Sequence, residues 1–150
     1  MKASDDLIQF IARKEGFRAN AYQPVPGDKW TIGYGFTTVT GLPVAQGQTI
    51  TEATADEILA AKVQGFANQI SSQKIPQSVT QNQFDAVVSL VYNIGYGAFN
   101  SSTTGKLFYG GANISSKFPQ WIFFNGKKLQ GLLNRRTAEK AIYDTADYSK

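Results

Sequence analysis

The sequence predicts an α+β fold, in which a small N-terminal part carries a β-hairpin and a larger helical part follows it. A helix that stops abruptly, followed by a strand–turn–strand pattern, occupies the chain up to Gly35. From about Thr51 onward, apolar residues recur at helical spacing. The 150 residues contain no repeat, low-complexity segment or linker. We therefore expect one domain over residues 1–150, with the β part at about 15–50 and the helical part, packed with the N-terminal helix, at about 51–150.

The first predicted element is an amphipathic helix that ends at Glu15. Leu7, Phe10 and Ile11 recur at helical spacing, and Gly16 then stops the helix. A helix C-terminus carries partial negative charge, which disfavours an ionised carboxylate at Glu15. From the residues alone, Glu15 could be a surface carboxylate near a helix end or a carboxyl kept protonated near neutral pH that can act as an acid.

The hairpin is predicted from two short strand patterns around a turn rich in Pro and Gly. Ala21-Tyr22 forms the first strand and residues 30–34 the second, with the turn at 24–28 between them. Side chains alternate along a strand, so Thr31, Gly33 and Gly35 share one face. That face is nearly bare backbone with one hydroxyl, which suits the close approach of another molecule.

Four helical segments are predicted after the hairpin. Thr51 is the N-cap of a helix of about 18 residues that carries an apolar stripe. Thr80 and Gln83 form a capping box before a buried helix. We expect the buried helix to break at Asn93, Gly95 and Gly97. A short helix is then predicted from Ser101-Ser102 to Gly110-Gly111. After a turn at Asn125-Gly126, the last helix is predicted from Leu132 to Tyr143.

Composition removes several classes of chemistry. The chain has no Cys and no His, which excludes thiol nucleophiles, disulfides, the usual zinc sites and every His-based triad. Proton transfer would have to use carboxylates, Lys or Tyr. The net charge of +4 fits either a solvated basic surface or attraction to a polyanion. Nucleic acid and the anionic bacterial cell wall both qualify, although the basic residues are scattered and do not form a stripe.

Most of the 11 carboxylates have a plain structural role. Those in the first turns of helices compensate the helix dipole, and we expect the same of Asp85. Two more lie near the C-terminal end of the chain. Glu15, Asp28 and Glu139 are left without such an explanation.

Three blocks of sequence form a recognisable pattern: Glu15-Gly16-x-Arg18, Ala21-Tyr22, Gly27 and Trp30-Thr31-Ile32-Gly33-Tyr34-Gly35 in the first, Val91 to Thr103 in the second, and Trp121 to Glu139 in the third. Together they resemble the phage-type lysozymes, the muramidase family of phage endolysins, grouped as glycoside hydrolase family 24. They occur in the family order and cover nearly the whole chain. The resemblance implies a lysozyme-like fold with a cleft between the β part and the helical part. It also implies hydrolysis of the β-1,4 bond between N-acetylmuramic acid and N-acetylglucosamine in peptidoglycan, without a metal or cofactor.

The same resemblance assigns roles to individual residues. Glu15 is expected to be the general acid, and Thr31 to position the attacking water. The family usually places an Asp two residues after Tyr22, where this chain has Pro24. Asp28 could replace that missing Asp or could be a simple turn former, and the sequence leaves both open.

The remaining predicted site residues would bind substrate: Tyr22 and Gly33 near the turn, Asn93 at a helix break, and Arg136 on the last helix. Asn93 could equally be a polar cap. Glu139 lies within helical reach of Arg135 and Arg136, and we expect it to be structural. Phe36 stands where many family members have His, which we expect to cost only a structural contact.

The altered turn keeps two rival functions open. One is a cell-wall-binding module with this fold and little or no turnover, and the other is a lytic transglycosylase, which cleaves the same bond with a single Glu. We further expect a monomer that acts on peptidoglycan glycan strands, with no nucleic-acid partner and no stable membrane insertion. The N-terminal residues lack a signal-peptide core. We therefore expect synthesis in the host bacterial cytoplasm, and action in the periplasm or cell wall after release.

Overall fold

The computed structural model describes residues 1–150, and short helices and strands make up most of the chain. The α-helices are α1 (Asp5–Glu15), α2 (Glu52–Ser71), α3 (Gln81–Ile94), α4 (Tyr96–Ser101), α5 (Thr103–Tyr109) and α6 (Gln130–Thr145), with a 3₁₀-helix at Ser115–Gln120. The strands are β1 (Arg18–Tyr22), β2 (Thr31–Gly33), β3 (Thr38–Val39), β4 (Leu42–Pro43), β5 (Phe123–Phe124) and β6 (Lys127–Lys128). Consecutive strands pair as three separate antiparallel hairpins.

The chain divides into two compact units. One unit is Ile8–Lys62, and the other combines Met1–Leu7 with Val63–Lys150. The division falls inside α1 and inside α2, whereas the sequence placed the change near residues 15 and 51. That all 150 residues act as one domain stays a prediction.

Helix α1 and the first hairpin follow the predicted order. Helix α1 ends at Glu15, and Gly16 adopts φ = 72° while its N–H donates to the Ala12 carbonyl at 2.9 Å. Strand β1 begins at Arg18, three residues before the predicted start. Arg18 lies opposite Gly33 and Tyr22 opposite Thr31, with an irregularity between the two pairs. The hairpin therefore brings Thr31 beside Tyr22.

The prediction of a bare face on β2 is wrong for most of its length. Thr31, Ile32 and Gly33 are all buried. A Cβ atom added to Gly33 would lie 2.8 Å from the Phe36 ring, so that ring covers the glycine. Gly35 alone stays exposed on this face.

Helix α3 forms the centre of the larger unit. The capping box of Thr80 and Gln83 is present as predicted, and α3 and α6 pack against each other. The helix ends at Ile94, and the Gly95 N–H donates to the Val91 carbonyl. Gly97 does not break the chain, because it lies inside α4, a six-residue helix that the sequence analysis missed. The predicted core residues are fully buried: Phe84, Val87, Val88 and Val91.

The structure corrects the predicted role of Asp85, which was to compensate the helix dipole. Its side chain is fully buried and accepts hydrogen bonds from the Ser4 N–H at 3.1 Å and the Ser4 hydroxyl at 2.5 Å. The Tyr148 hydroxyl also donates to it at 2.7 Å, and the Gln81 amide at 2.9 Å. Asp85 thus ties residues near both ends of the chain to α3.

The centres of the last elements lie where the sequence predicted them. Ser102 is the N-cap of α5, which agrees with the predicted helix start at Ser101-Ser102, and α6 extends the predicted helix at both ends. Asn125 and Gly126 form the tight turn between β5 and β6, with φ of 50° and 77°. A membrane-spanning stretch of sufficient length and apolarity is found in none of the helices.

Candidate active site

Glu15 closes α1 beside the second half of the first hairpin. Its carboxyl is partly exposed, and its Oε2 lies 3.9 Å from the position that a Cβ atom would take on Gly35. Gly35 has φ = 83°, which L side chains rarely adopt, and it carries no side chain to cover the carboxyl. The chain therefore places exposed backbone, without a side chain, next to the Glu15 carboxyl.

Three aromatic rings hold the segments on both sides of this carboxyl. The Tyr34 ring lies 5.6 Å from the Phe17 ring and 6.2 Å from the Phe36 ring. The Tyr34 hydroxyl donates to the Asp56 carboxylate at 2.6 Å, which attaches the hairpin to the first turns of α2. Burial and this hydrogen bond raise the pKa of Tyr34 to about 12. The sequence analysis missed this pair, because nothing in the spacing of residues 34 and 56 indicates a contact.

Thr31 is held with its hydroxyl in a defined orientation. The residue is only 5% exposed, and its hydroxyl donates to the Lys29 carbonyl at 3.1 Å. A hydroxyl that donates its proton keeps oxygen lone pairs with which it can accept a hydrogen bond. On the opposite strand, Tyr22 is partly exposed, and the Arg18 guanidinium lies 4.1 Å from the centre of its ring.

Asp28 lies in the exposed turn between β1 and β2. Its N–H donates to the Val25 carbonyl at 3.1 Å, and its carbonyl accepts from the Gln23 amide at 2.9 Å. Both bonds stabilise the turn through the backbone and leave the carboxylate in solvent. This arrangement agrees with a turn former and keeps the carboxylate available.

The predicted residues of the larger unit differ in exposure. Asn93 is exposed in the last turn of α3. Arg136 is fully buried, with its Nε 2.7 Å from Glu139 Oε2 and a terminal nitrogen donating to the Trp121 carbonyl at 3.4 Å. A side chain without exposed surface cannot contact a substrate. We therefore correct the predicted substrate-binding role of Arg136 to a structural one.

Glu139 forms a buried ionic cluster with Arg136 and Arg135 between α6 and α3. The Arg135 Nε lies 3.2 Å from the Glu139 carboxylate, and the Ser89 hydroxyl on α3 donates to it at 2.8 Å. Burial raises the pKa of the Glu139 carboxyl, while the two guanidiniums and Ser89 oppose that shift. Burial also lowers the pKa of Arg136. The location agrees with the structural role expected for Glu139.

A short hairpin unit that carries a carboxyl at a helix end, together with a mostly helical unit, makes this a lysozyme-like mixed α/β fold. The family model described as Phage lysozyme matches residues 12–139. The chain belongs to the phage lysozyme family.

Individual relatives agree with this assignment. The chain is 40% identical to the endolysin of Bacillus phage PZA over 148 residues, covering 97% of this chain and 56% of that protein. It is 39% identical to the endolysin of Acyrthosiphon pisum secondary endosymbiont phage 1, covering 97% of this chain and 100% of the relative. The solved structure of the endolysin from Escherichia coli O157:H7 phage FAHEc1 superposes with a TM-score of 0.87 at 36% identity, covering 100% of this chain and 98% of that one. The chain thus spans about half the length of the first relative and all of the second.

Proposed function

We propose that the protein is an endolysin-type muramidase that hydrolyses the β-1,4 bond between N-acetylmuramic acid and N-acetylglucosamine in peptidoglycan. Membership of the phage lysozyme family supports this reaction class. The observation that carries the proposal is the Glu15 carboxyl beside the side-chain-free backbone of Gly35. A sugar ring needs such open backbone to bring its glycosidic oxygen within reach of an acid.

In the proposed reaction, Glu15 donates its proton to the oxygen of the leaving sugar. Proton donation by a positioned side chain contributes roughly 100- to 10,000-fold to the rate. A water molecule then attacks the opposite face of the ring, where the positive charge develops. In an inverting enzyme the acid and the base are roughly 6.5–9.5 Å apart, which leaves room for that water.

Thr31 and Asp28 are the candidates for handling the water. The Thr31 oxygen can accept a hydrogen bond from the water and so direct a water lone pair toward the sugar. The Asp28 carboxylate could take up the proton that the water loses. We retain the partly exposed Tyr22 and the exposed Asn93 as candidate substrate-binding residues. Gly33 would act by allowing Phe36 to pack on the hairpin, because it is too deeply buried to touch a sugar.

The test compares the wild-type protein with Glu15→Gln in the rate at which they release products from purified peptidoglycan. The amide keeps the shape of Glu15 but cannot donate a proton, so we expect the rate to fall by about 100-fold or more. Glu57→Gln, on the exposed face of α2, is the matched control and should keep full activity.

Mass spectrometry of the released muropeptides identifies the reaction. We expect reducing-end N-acetylmuramic acid. Products carrying 1,6-anhydro-muramic acid would show a lytic transglycosylase, and binding to the wall without any release of muropeptides would show a non-catalytic module.

Three finer statements stay predictions. They are placement in glycoside hydrolase family 24, action as a monomer without a nucleic-acid partner, and synthesis in the host cytoplasm before action on the wall.

A further inference from the structure

The β5–β6 hairpin, which we call the aromatic hairpin (residues 123–128), exposes two adjacent phenylalanines. Phe123 is 58% exposed and Phe124 is 62% exposed. Single exposed apolar residues are ordinary, but adjacent exposed aromatic rings on a projecting turn indicate an interaction site. The proposed hydrolysis uses neither ring.

The pairing of the two strands gives both faces of the aromatic hairpin the same combination of an aromatic and a cationic side chain. Phe123 lies opposite Lys128, and Phe124 lies opposite Lys127. Residues opposite each other share a face, whereas neighbours along a strand lie on opposite faces. Each face therefore carries one aromatic ring and one ammonium group, and both lysines are exposed.

The hairpin is closed at its base by a backbone hydrogen bond, and residues 123–128 are all exposed. The Leu129 N–H donates to the Ile122 carbonyl at 3.0 Å, and Ile122 is only 8% exposed. At the tip, Asn125 and Gly126 both have positive φ, the geometry of the tight turn that keeps two strands paired. The salt bridges of the chain involve neither Lys127 nor Lys128.

We infer that the aromatic hairpin binds, tip first, at the interface of an anionic lipid bilayer, a peripheral contact that differs from the stable membrane insertion that the sequence argues against. The two rings would enter the boundary between headgroups and acyl chains, and the two ammonium groups would pair with lipid phosphates. A flat partner would engage only one face, whereas a bilayer interface surrounds the tip and engages both. A soluble polyanion would use the lysines and leave the rings in water. The net charge of +4 favours approach to such a surface.

The proposal concerns binding on a membrane surface and does not depend on the hydrolase activity. Vesicles contain no peptidoglycan, so vesicle binding and wall hydrolysis can fail separately. The probe is cosedimentation with vesicles of phosphatidylcholine mixed with phosphatidylglycerol, compared with phosphatidylcholine alone. The wild-type protein should bind the anionic vesicles and lose most of that binding at high salt.

Two double variants separate the contributions of the rings and the charges. F123S/F124S should weaken binding by about tenfold or more, since both rings lose their apolar contact. K127Q/K128Q should weaken it by about 25-fold, from roughly fivefold per lysine. The control is L42S/K74Q, which removes an exposed apolar residue and an exposed lysine elsewhere and should bind like the wild type.

A spectroscopic variant reports insertion directly. In Phe124→Trp the added fluorescence should shift to the blue on anionic vesicles and should be quenched by lipids brominated on their acyl chains. Absence of vesicle binding by the wild type would overturn the proposal. So would F123S/F124S binding as tightly as L42S/K74Q, or an added tryptophan fluorescence that acyl-chain bromines do not quench.

Discussion

Thr31 and Asp28 differ in how the fold presents them to the proposed water. The Thr31 hydroxyl is nearly buried and oriented by the Lys29 carbonyl, whereas the Asp28 carboxylate extends from an exposed turn. A fixed hydroxyl orients a water without a further loss of side-chain entropy. A carboxylate on an exposed turn can move toward a substrate but gains less from preorganisation.

The first prediction is that Thr31→Val loses most activity while Thr31→Ser keeps it. Valine has nearly the same shape but no hydroxyl, and the Lys29 carbonyl loses its donor. The free energy of unfolding should fall by about 1–3 kcal/mol at most, because a lost hydrogen bond leaves one polar group to be solvated. Turbidity loss of permeabilised Gram-negative cells and thermal unfolding measure the two effects. A Thr31→Val protein with wild-type turnover would remove Thr31 from the mechanism.

The second prediction concerns Asp28→Asn. Both hydrogen bonds of Asp28 use its backbone, so the variant should fold with an unchanged melting temperature. If Asp28 is only a turn former, activity stays as well. A folded variant without activity would instead establish the carboxylate as the replacement for the Asp that is missing at Pro24.

The site residues differ in how far the sequence could predict their positions. The position of Glu15 followed from an apolar repeat and a stop glycine, which are local signals. Whether Arg136 faces solvent or the interior depends on the rotation of α6 against α3, a tertiary property that spacing along one helix does not give. The Tyr34–Asp56 bond likewise depends on tertiary structure, because it joins the turn after β2 to α2.

At the scale of elements, β2 depends on the close packing of Phe36 over Gly33. We predict that Gly33→Ala lowers the free energy of unfolding more than Gly27→Ala does. Both positions have positive φ, 65° and 87°, which costs a residue with a Cβ about 1–2 kcal/mol. Only at Gly33 would the added Cβ meet the Phe36 ring at 2.8 Å, whereas Gly27 has open space around it. Equal losses in chemical denaturation would contradict this account of the covered face.

Helices α3 and α6 are joined by the buried cluster of Glu139, Arg135, Arg136 and Ser89. We predict that Glu139→Gln lowers the free energy of unfolding by about 3–5 kcal/mol, because it leaves two largely buried guanidiniums without a counter-charge. The matched control on the same helix is Asp144→Asn. Its carboxylate pairs with Lys140 at 2.6 Å on the surface, where such a pair contributes about 1 kcal/mol or less. Urea unfolding of both variants makes the comparison, and similar losses would argue against the cluster.

Element prediction succeeded where caps and periodicity were strong and failed where elements are short. The capping box located the start of α3, and Asn125-Gly126 located a tight turn. Helix α4 has six residues, which is too few to establish an apolar repeat, and it contains Gly97, which the sequence analysis took for a break. Its existence depends on packing, with Phe99 fully buried.

In the molecule as a whole, buried or half-buried tyrosines occur in both compact units. Tyr34 belongs to the unit Ile8–Lys62, while Tyr109 and Tyr148 belong to the other. Burial raises the pKa of all three, and each hydroxyl donates a hydrogen bond, to Asp56, to the Ile70 carbonyl and to Asp85 respectively. The neutral phenol is therefore the form that the folded state favours at these three positions.

The last prediction is that the protein loses stability in alkaline solution and does so over a defined range. In the unfolded chain a tyrosine titrates near its ordinary pKa of 10.0, whereas in the folded chain the pKa of Tyr34 is raised to about 12. The folded state thus holds more protons, so this stabilisation is complete below pH 10 and is lost as the pH rises through about 12. Guanidinium unfolding at a series of pH values, with tyrosinate absorbance, follows the loss. Tyr34→Phe should show a smaller decline than the wild type across this range, and an identical decline would contradict the assignment to Tyr34.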